Sequence, residues 1–254
     1  MCNTDNQTSD KAWKSETLEQ TRNRLRRTWG DYPLTILVIN PLSLRLVRII
    51  GKTPITPNQL TILSFILTLT AALFIGSTQR SFQAFGGILL LIAYIIDCMD
   101  GDLARYKNLK SPLGAMLDPI LDRFGEFAVI VALSLCGWRT TESEIWLIGG
   151  IFLAGMSQIY FYLVDAMVWK LPQNIKKNRA ASSIRLLGTP VRFGAIEPFI
   201  WGLTILSLLG VAHWGIPIFS LMFTLGNLYA IKRVLNNSIR SKLNHSDFFG
   251  THIR

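Results

Sequence analysis

Residues 97–122 read DCMDGDLARYKNLKSPLGAMLDPILD, and this stretch decides the fold. Asp97 and Asp100 close one long apolar run, and Asp118 and Asp122 open the next. A carboxylate at membrane depth is expensive unless it is paired or performs a task. Four of them at the junction of two apolar runs point to a metal and phosphate site at a membrane surface.

Outward from this junction the chain keeps the same character. Half of its 254 residues are apolar, and they gather into runs at 57–78, 81–104, 113–137, 144–170, 195–211 and 213–235. An α-helix needs roughly 20 residues to cross the hydrocarbon layer. The runs predict an all-α polytopic membrane protein with six transmembrane helices, and argue against a soluble protein with one large core.

Charge supplies the topology. The chain carries 26 Lys and Arg against 16 Asp and Glu, a net charge of +10. Of the 26, only Arg80 and Arg139 fall on one side of the six runs, which leaves 24 on the other. This asymmetry predicts that both termini and the loops at 105–112 and 171–194 face the cytoplasm. The basic excess then reads as topology and attraction to anionic membrane lipids, not as a nucleic-acid surface.

The segments follow from the same pattern. Residues 1–32 form a cytoplasmic basic arm with Arg22, Arg24, Arg26 and Arg27, and this polar start predicts no secretory leader. Residues 33–56 are apolar but short and broken by Pro41, which predicts an amphipathic helix lying in the interface, followed by a turn. Residues 57–235 make the transmembrane catalytic domain, with Thr56 as the N-cap of its first helix and Pro57 in the first turn. Residues 236–254 form a polar cytoplasmic tail. Cys2, Cys98 and Cys136 have neither metal-ligand spacing nor an even count for a disulfide framework.

Helical spacing organises the acids. Asp97 and Asp100 are three apart and Asp118 and Asp122 four apart, so each pair shares a helix face. A reversal over 105–112 brings the pairs together on antiparallel helices. Carboxylates so placed repel one another, and a divalent cation resolves the repulsion. All-oxygen ligands suit Mg²⁺ or Mn²⁺, and two ions ~3.5–4 Å apart form a clamp for displacement at phosphorus. Gly101, Ala104 and Gly114 open space beside the acids, and Arg105 can hold phosphate bidentately. Each small residue alone reads as a helix-packing point; beside four aspartates the set reads as a site. Asp102 lies off the Asp97/Asp100 face, toward water or a nearby base. Glu126 is a supporting or acceptor contact, or the partner of a basic side chain. Asp165 and Glu197 are expected to pair with the basic loop.

The pattern Asp97-x2-Asp100-Gly101-x2-Ala104-Arg105-x8-Gly114-x3-Asp118-x3-Asp122 resembles the signature of the CDP-alcohol phosphotransferases. Eight positions match at fixed spacing within 26 residues. The resemblance implies transfer of a phospho-alcohol group from a CDP-linked lipid, CDP-diacylglycerol above all, to a small hydroxyl acceptor, with release of CMP. It implies that Asp97, Asp100 and Asp118 bind two metal ions, that Asp122 contacts metal and acts as general base, and that Asp97, Gly101, Ala104, Arg105 and Gly114 line the CDP pocket. It also implies a homodimer. Residues 118–123 read DPILDR, closer to members that use inositol phosphate than to those that use glycerol phosphate. Arg123, Arg179, Arg185 and Arg192 are the candidate cations for a phosphorylated acceptor, with loop charge that sets topology as the alternative for each. A water-soluble CDP-polyol donor, or glycerol phosphate as acceptor, is the runner-up. A membrane prenyltransferase would carry a second, distant aspartate motif, and a cation transporter would show inverted repeats around midplane charges. The sequence has neither.

Overall fold

The computed structural model describes residues 32–169, 185–186, 189–190 and 195–250. The described residues begin with a π-helical turn, Thr35–Ile39, that runs into helix α1, Asn40–Ile50. Pro41, expected to interrupt this run, sits at the start of the α portion. The widened turn before it makes room for a ring that a regular α turn would exclude.

Five long helices and one short one follow: α2 Pro57–Ile75, α3 Arg80–Tyr106, α4 Pro112–Thr141, α5 Ile145–Trp169, α6 Ile196–Leu208 and α7 Gly215–Gly250. Each coincides with one of the six apolar runs. Four stretches are long and apolar enough to cross a membrane: Pro57–Ile75, Arg80–Tyr106, Ile145–Leu163 and Ala212–Lys232. Helix α4 is long but bears the charges of the site, and the 13 residues of α6 rise only about 20 Å. Helix α7 runs on into the segment read from sequence as a polar tail, because no glycine or proline stands between Gly226 and Gly250 to stop it. Arg185–Leu186 and Thr189–Pro190 form a two-residue antiparallel pair, an addition to the all-helical expectation.

The outer faces are apolar. Leu73 is 80% exposed and Ile151 76%, and Ile148, Leu221 and Leu228 point outward too. So many exposed large apolar side chains suit lipid and not water. The chain is therefore an integral membrane protein. Inside, Leu133, Leu153, Leu203 and Phe223 are fully buried in one core shared by α4, α5, α6 and α7. Helix α3 runs between α2 and α6, and two adjacent glycines let it. A Cβ on Gly86 would stand 2.8 Å from the Ile75 nitrogen, and one on Gly87 would stand 2.7 Å from the Ser207 Cβ. Small residues at such crossings let helix backbones approach closely.

Local signals fix the helix starts. Thr56 and Gln59 form a capping box: Thr56 Oγ1 accepts the Gln59 N–H at 3.4 Å, and Gln59 Oε1 accepts the Thr56 N–H at 2.9 Å. Ser111 caps α4 by accepting the Gly114 N–H at 3.0 Å, with Pro112 in the first turn. Between α3 and α4, Asn108 adopts φ 55° and the Leu109 N–H returns to the Ala104 carbonyl at 2.9 Å, which ends α3 sharply.

Candidate active site

This tight reversal places the last turns of α3 beside the first turns of α4. One carboxylate oxygen from each of Asp97, Asp100 and Asp118 lies within 4.8 Å of the others. Asp100 is buried, and Thr61 on α2 donates its hydroxyl to Asp100 Oδ2 at 2.5 Å. The donor set is all oxygen, compact and multiply charged, and it fits a divalent cation. Pro119 lies inside α4 between Asp118 and Asp122. Its missing N–H frees the Ala115 carbonyl from the helical ladder at the site itself.

Asp122 is one turn beyond Asp118 and lines a cavity of about 240 Å³ that Asp97 also lines. Tyr32, Thr35, Thr61, Ser64, Thr68, Tyr94, Arg123 and Glu126 add further polar groups to its wall. Leu90 on α3 and Val129 on α4, two turns farther along each helix, make it apolar at depth. The cavity is thus joined to the carboxylate cluster through Asp97.

The arginines are arranged differently from the expectation that they await phosphate. Arg105 is ion-paired with Asp102, and its guanidinium lies over Gly101, 3.6 Å from where a Cβ would stand. Asp102 is buried and also accepts the Ser43 hydroxyl of α1 at 2.5 Å. Its base is therefore Arg105, and the pair ties α1 to the helix that carries Asp97 and Asp100. Arg123 donates to Glu126 at 2.6 Å, and its guanidinium carbon sits 3.5 Å from the centre of the Phe161 ring. It lines the cavity with its charge already matched by Glu126. The second Glu126 oxygen has no hydrogen-bond partner among the described residues; Ser157 stands beside it but donates to the Ala154 carbonyl at 3.0 Å.

Gly114 makes room for α2. A Cβ there would stand 2.8 Å from Asn58 Oδ1, so the start of α2 packs against the start of α4. Ala104 is half-buried on α3 near its end. Arg185 belongs to the short strand pair, and Arg179, Arg192 and the Asp165 side chain lie outside the described residues. Glu197 does not pair with a basic loop among the described residues. It accepts the backbone N–H of Leu34 at 3.1 Å and that of Thr35. Sequence reading missed Thr61, Ser43 and Tyr94. Thr61 alone carried a signal, one turn after Pro57 on the helix whose capping box fixes its start.

The chain resembles known proteins. The chain is 30% identical over 187 residues to the bifunctional IPC transferase and DIPP synthase of Rubrobacter xylanophilus, covering 72% of this chain and 37% of that protein. It is 35% identical over 107 residues to the archaetidylinositol phosphate synthase of Pyrococcus horikoshii, covering 41% and 55%. Both matches span less than two thirds of the relative's length. The crystal structure of Mycobacterium tuberculosis phosphatidylinositol phosphate synthase with CDP-DAG bound has the same fold. It superposes with a TM-score of 0.54 at 17% identity, over 77% of this chain and 92% of that one. Residues 54–226, which hold α2 to α6, the carboxylate cluster and the first third of α7, match the CDP-alcohol phosphatidyltransferase family, and the chain belongs to it.

Proposed function

We propose that the protein transfers a phosphatidyl group from a CDP-linked lipid, CDP-diacylglycerol, to a hydroxyl of a polyol phosphate such as inositol phosphate, releasing CMP. The observation that carries this reading is the sharing of Asp97 between the carboxylate cluster and the cavity that borders Asp122. The names of the Pyrococcus relative and of the mycobacterial structure support an inositol phosphate acceptor, and the bound CDP-DAG of the latter supports the donor.

The residues divide the work as follows. Asp97, Asp100, Asp118 and Asp122 would hold two divalent ions, Mg²⁺ or Mn²⁺, which neutralise the donor pyrophosphate. Thr61 fixes the rotamer of Asp100. Gly101, Ala104, Arg105 and Gly114 flank the CDP moiety, with Arg105 set in place by Asp102. Asp122, on the cavity wall, takes the proton of the acceptor hydroxyl. That oxygen attacks the phosphorus bearing the lipid alcohol, the pyrophosphate P–O bond breaks, and CMP leaves with the electron pair. Catalysis of this kind is mostly positioning and charge neutralisation. The cavity's location beside Asp122 makes it the acceptor's.

The same reading includes six membrane crossings, α1 lying in the interface, both termini and the site on the cytoplasmic side, and a homodimer. The 24-to-2 division of basic residues supports the orientation. The test is CMP release by purified protein with Mg²⁺ and CDP-diacylglycerol, against inositol phosphate, glycerol phosphate, inositol and serine. Release that depends on inositol phosphate is expected. Release with glycerol phosphate alone would move the acceptor, and none with any acceptor would move the donor to a water-soluble CDP-polyol. Asp122→Asn should still bind CDP and metal but lose transfer by ~10²-fold or more; a fully active variant would remove Asp122 as the base.

A further inference from the structure

Glu197 is a charged side chain in an apolar helix, and the chemistry above leaves it without a task. It sits in the first turn of α6 and is 4% exposed. Both its oxygens are directed to the start of the N-terminal helix, Oε2 to the Leu34 N–H at 3.1 Å and Oε1 to the Thr35 N–H. The first N–H groups of a helix have no partner within it. A carboxylate satisfies them through charge-assisted hydrogen bonds and through the helix dipole. The contact joins segments more than 160 residues apart, so it fixes the tertiary position of that turn.

A second tether acts on the same turn. The Thr35 hydroxyl lies 2.9 Å from the Tyr94 hydroxyl of α3. Tyr32, Thr35 and Tyr94 all line the cavity that Asp97 and Asp122 line. Ile196, Phe199 and Ile200 of α6 line it as well, on either side of Glu197 in sequence. The start of the N-terminal helix is therefore a wall of the cavity, held from α6 by Glu197 and from α3 by Tyr94.

We infer that Glu197 is a positioning residue for the transfer, pinning the Leu34–Thr35 turn so that the cavity beside Asp122 keeps the width its acceptor requires. This rests on the reading of that cavity as the acceptor's. Glu197 itself touches no substrate. Its loss frees two backbone N–H groups, the turn moves from α6, and the acceptor is held less well against Asp122. The CDP-linked donor is bound at the carboxylate cluster and the ends of α2, α3 and α4, away from this wall, and its binding is unaffected.

The experiment measures kcat and both KM values for full-length wild type, Glu197→Ala, Glu197→Gln and Tyr94→Phe, with CDP-diacylglycerol, Mg²⁺ and inositol phosphate. Hydrogen exchange of the peptide covering residues 33–36 is followed in parallel. Small misplacements at a reacting centre are costly, so Glu197→Ala should raise the acceptor KM about tenfold or more. Its donor KM should stay within about twofold, the mark of a loss confined to one substrate. Gln keeps one carbonyl oxygen and should fall between Ala and wild type. Tyr94→Phe cuts only the second tether and should raise the acceptor KM severalfold without touching α6. Exchange at 33–36 should rise in the same order as the acceptor KM. An unchanged acceptor KM in both Glu197→Ala and Tyr94→Phe would overturn the inference, as would acceptor KM, donor KM and kcat all moving together. If Glu197→Ala does not fold, Glu197→Gln and Tyr94→Phe decide by the same criteria. Failure of the functional reading looks different: wild type itself then shows no CMP release that depends on inositol phosphate, and the inference falls with it.

Discussion

Helices α3 and α4 lie antiparallel, and their two ends are built on opposite principles. At the end where α3 begins and α4 finishes, a neutral buried amide is fully hydrogen-bonded. Gln83, 1% exposed, donates to the Ser77 carbonyl at 2.9 Å and to Cys136 Sγ at 3.3 Å, and accepts the Ala212 N–H at 3.2 Å. Arg139 donates to the Gly76 carbonyl at 3.3 Å. One buried amide thus joins four segments of chain, as a fully satisfied polar network in a core does. Toward the other end, Asp97, Asp100, Asp102, Asp118, Asp122 and Glu126 crowd into the last ten residues of α3 and the first half of α4. Among the described residues, Arg105 pairs with Asp102 and Arg123 with Glu126. Lys107 is turned away, its ammonium donating to the Thr53 and Ile55 carbonyls at 2.6 and 2.7 Å. The first end explains itself by folding. The second gathers like charges whose oxygens lie within 4.8 Å of one another, an arrangement suited to a divalent cation.

The largest break in this contrast comes from the cluster. Asp118→Ala removes one of three carboxylates whose oxygens lie within 4.8 Å of one another. The charge stabilisation supplied through such a site is worth several kcal/mol, so CMP release should fall ~10³-fold or more. The thermal midpoint in detergent should hold or rise, because a like-charge neighbour of Asp97 and Asp100 has gone. A loss of activity that tracks a loss of folded protein would mean that the acids are structural after all.

Thr61→Val is milder and sharpens the same point. It keeps the shape of the side chain and deletes the 2.5 Å hydrogen bond to Asp100 Oδ2. Groups that orient a metal ligand typically change affinity by ~10–100-fold. Activity plotted against Mg²⁺ concentration should shift its midpoint upward by that order and approach the wild-type plateau. A lowered plateau at an unchanged midpoint would place Thr61 on the substrate rather than behind Asp100.

The two ends also differed in how far the sequence revealed them. The aspartate end was legible because spacings of three and four residues are local, and helical periodicity turns them directly into a shared face. Thr56, Pro57 and the reversal before Pro112 were legible for the same reason. What joins distant segments was not. Asp102 was expected to meet water or a nearby base; the base is Arg105, but the hydrogen bond from Ser43 on a distant helix had no local signal. Glu197 looked like a partner for loop cations, yet it serves two amides on the far side of the sequence. Arg123 carried the right charge for a phosphate; its pairing with Glu126, three residues on, fits the alternative that Glu126 meets a basic side chain, whereas nothing local announced Phe161. Composition counts charges but does not say which are spent on one another. The length of α6 was legible only in part, since an apolar run sets an upper bound on a helix and not its ends.

The smallest expected effect on catalysis, and the cleanest separation of the two ends, comes from Gln83→Leu. Leucine fills the same buried volume with no polar atom, so the Ala212 N–H loses its acceptor and the Ser77 carbonyl keeps only the Cys136 thiol, at 3.4 Å. An orphaned buried group costs about 1–3 kcal/mol, and the thermal midpoint should fall accordingly. CMP release per folded molecule should stay within about twofold of wild type, because a purely structural loss leaves transition-state contacts alone. Should Gln83→Leu instead depress turnover while the fold remains intact, the far end would be coupled to the cluster along α3 and α4. The neutral network would then be setting the register of these helices at their charged end, and the division between a part that folds and a part that works would have to be redrawn along each helix.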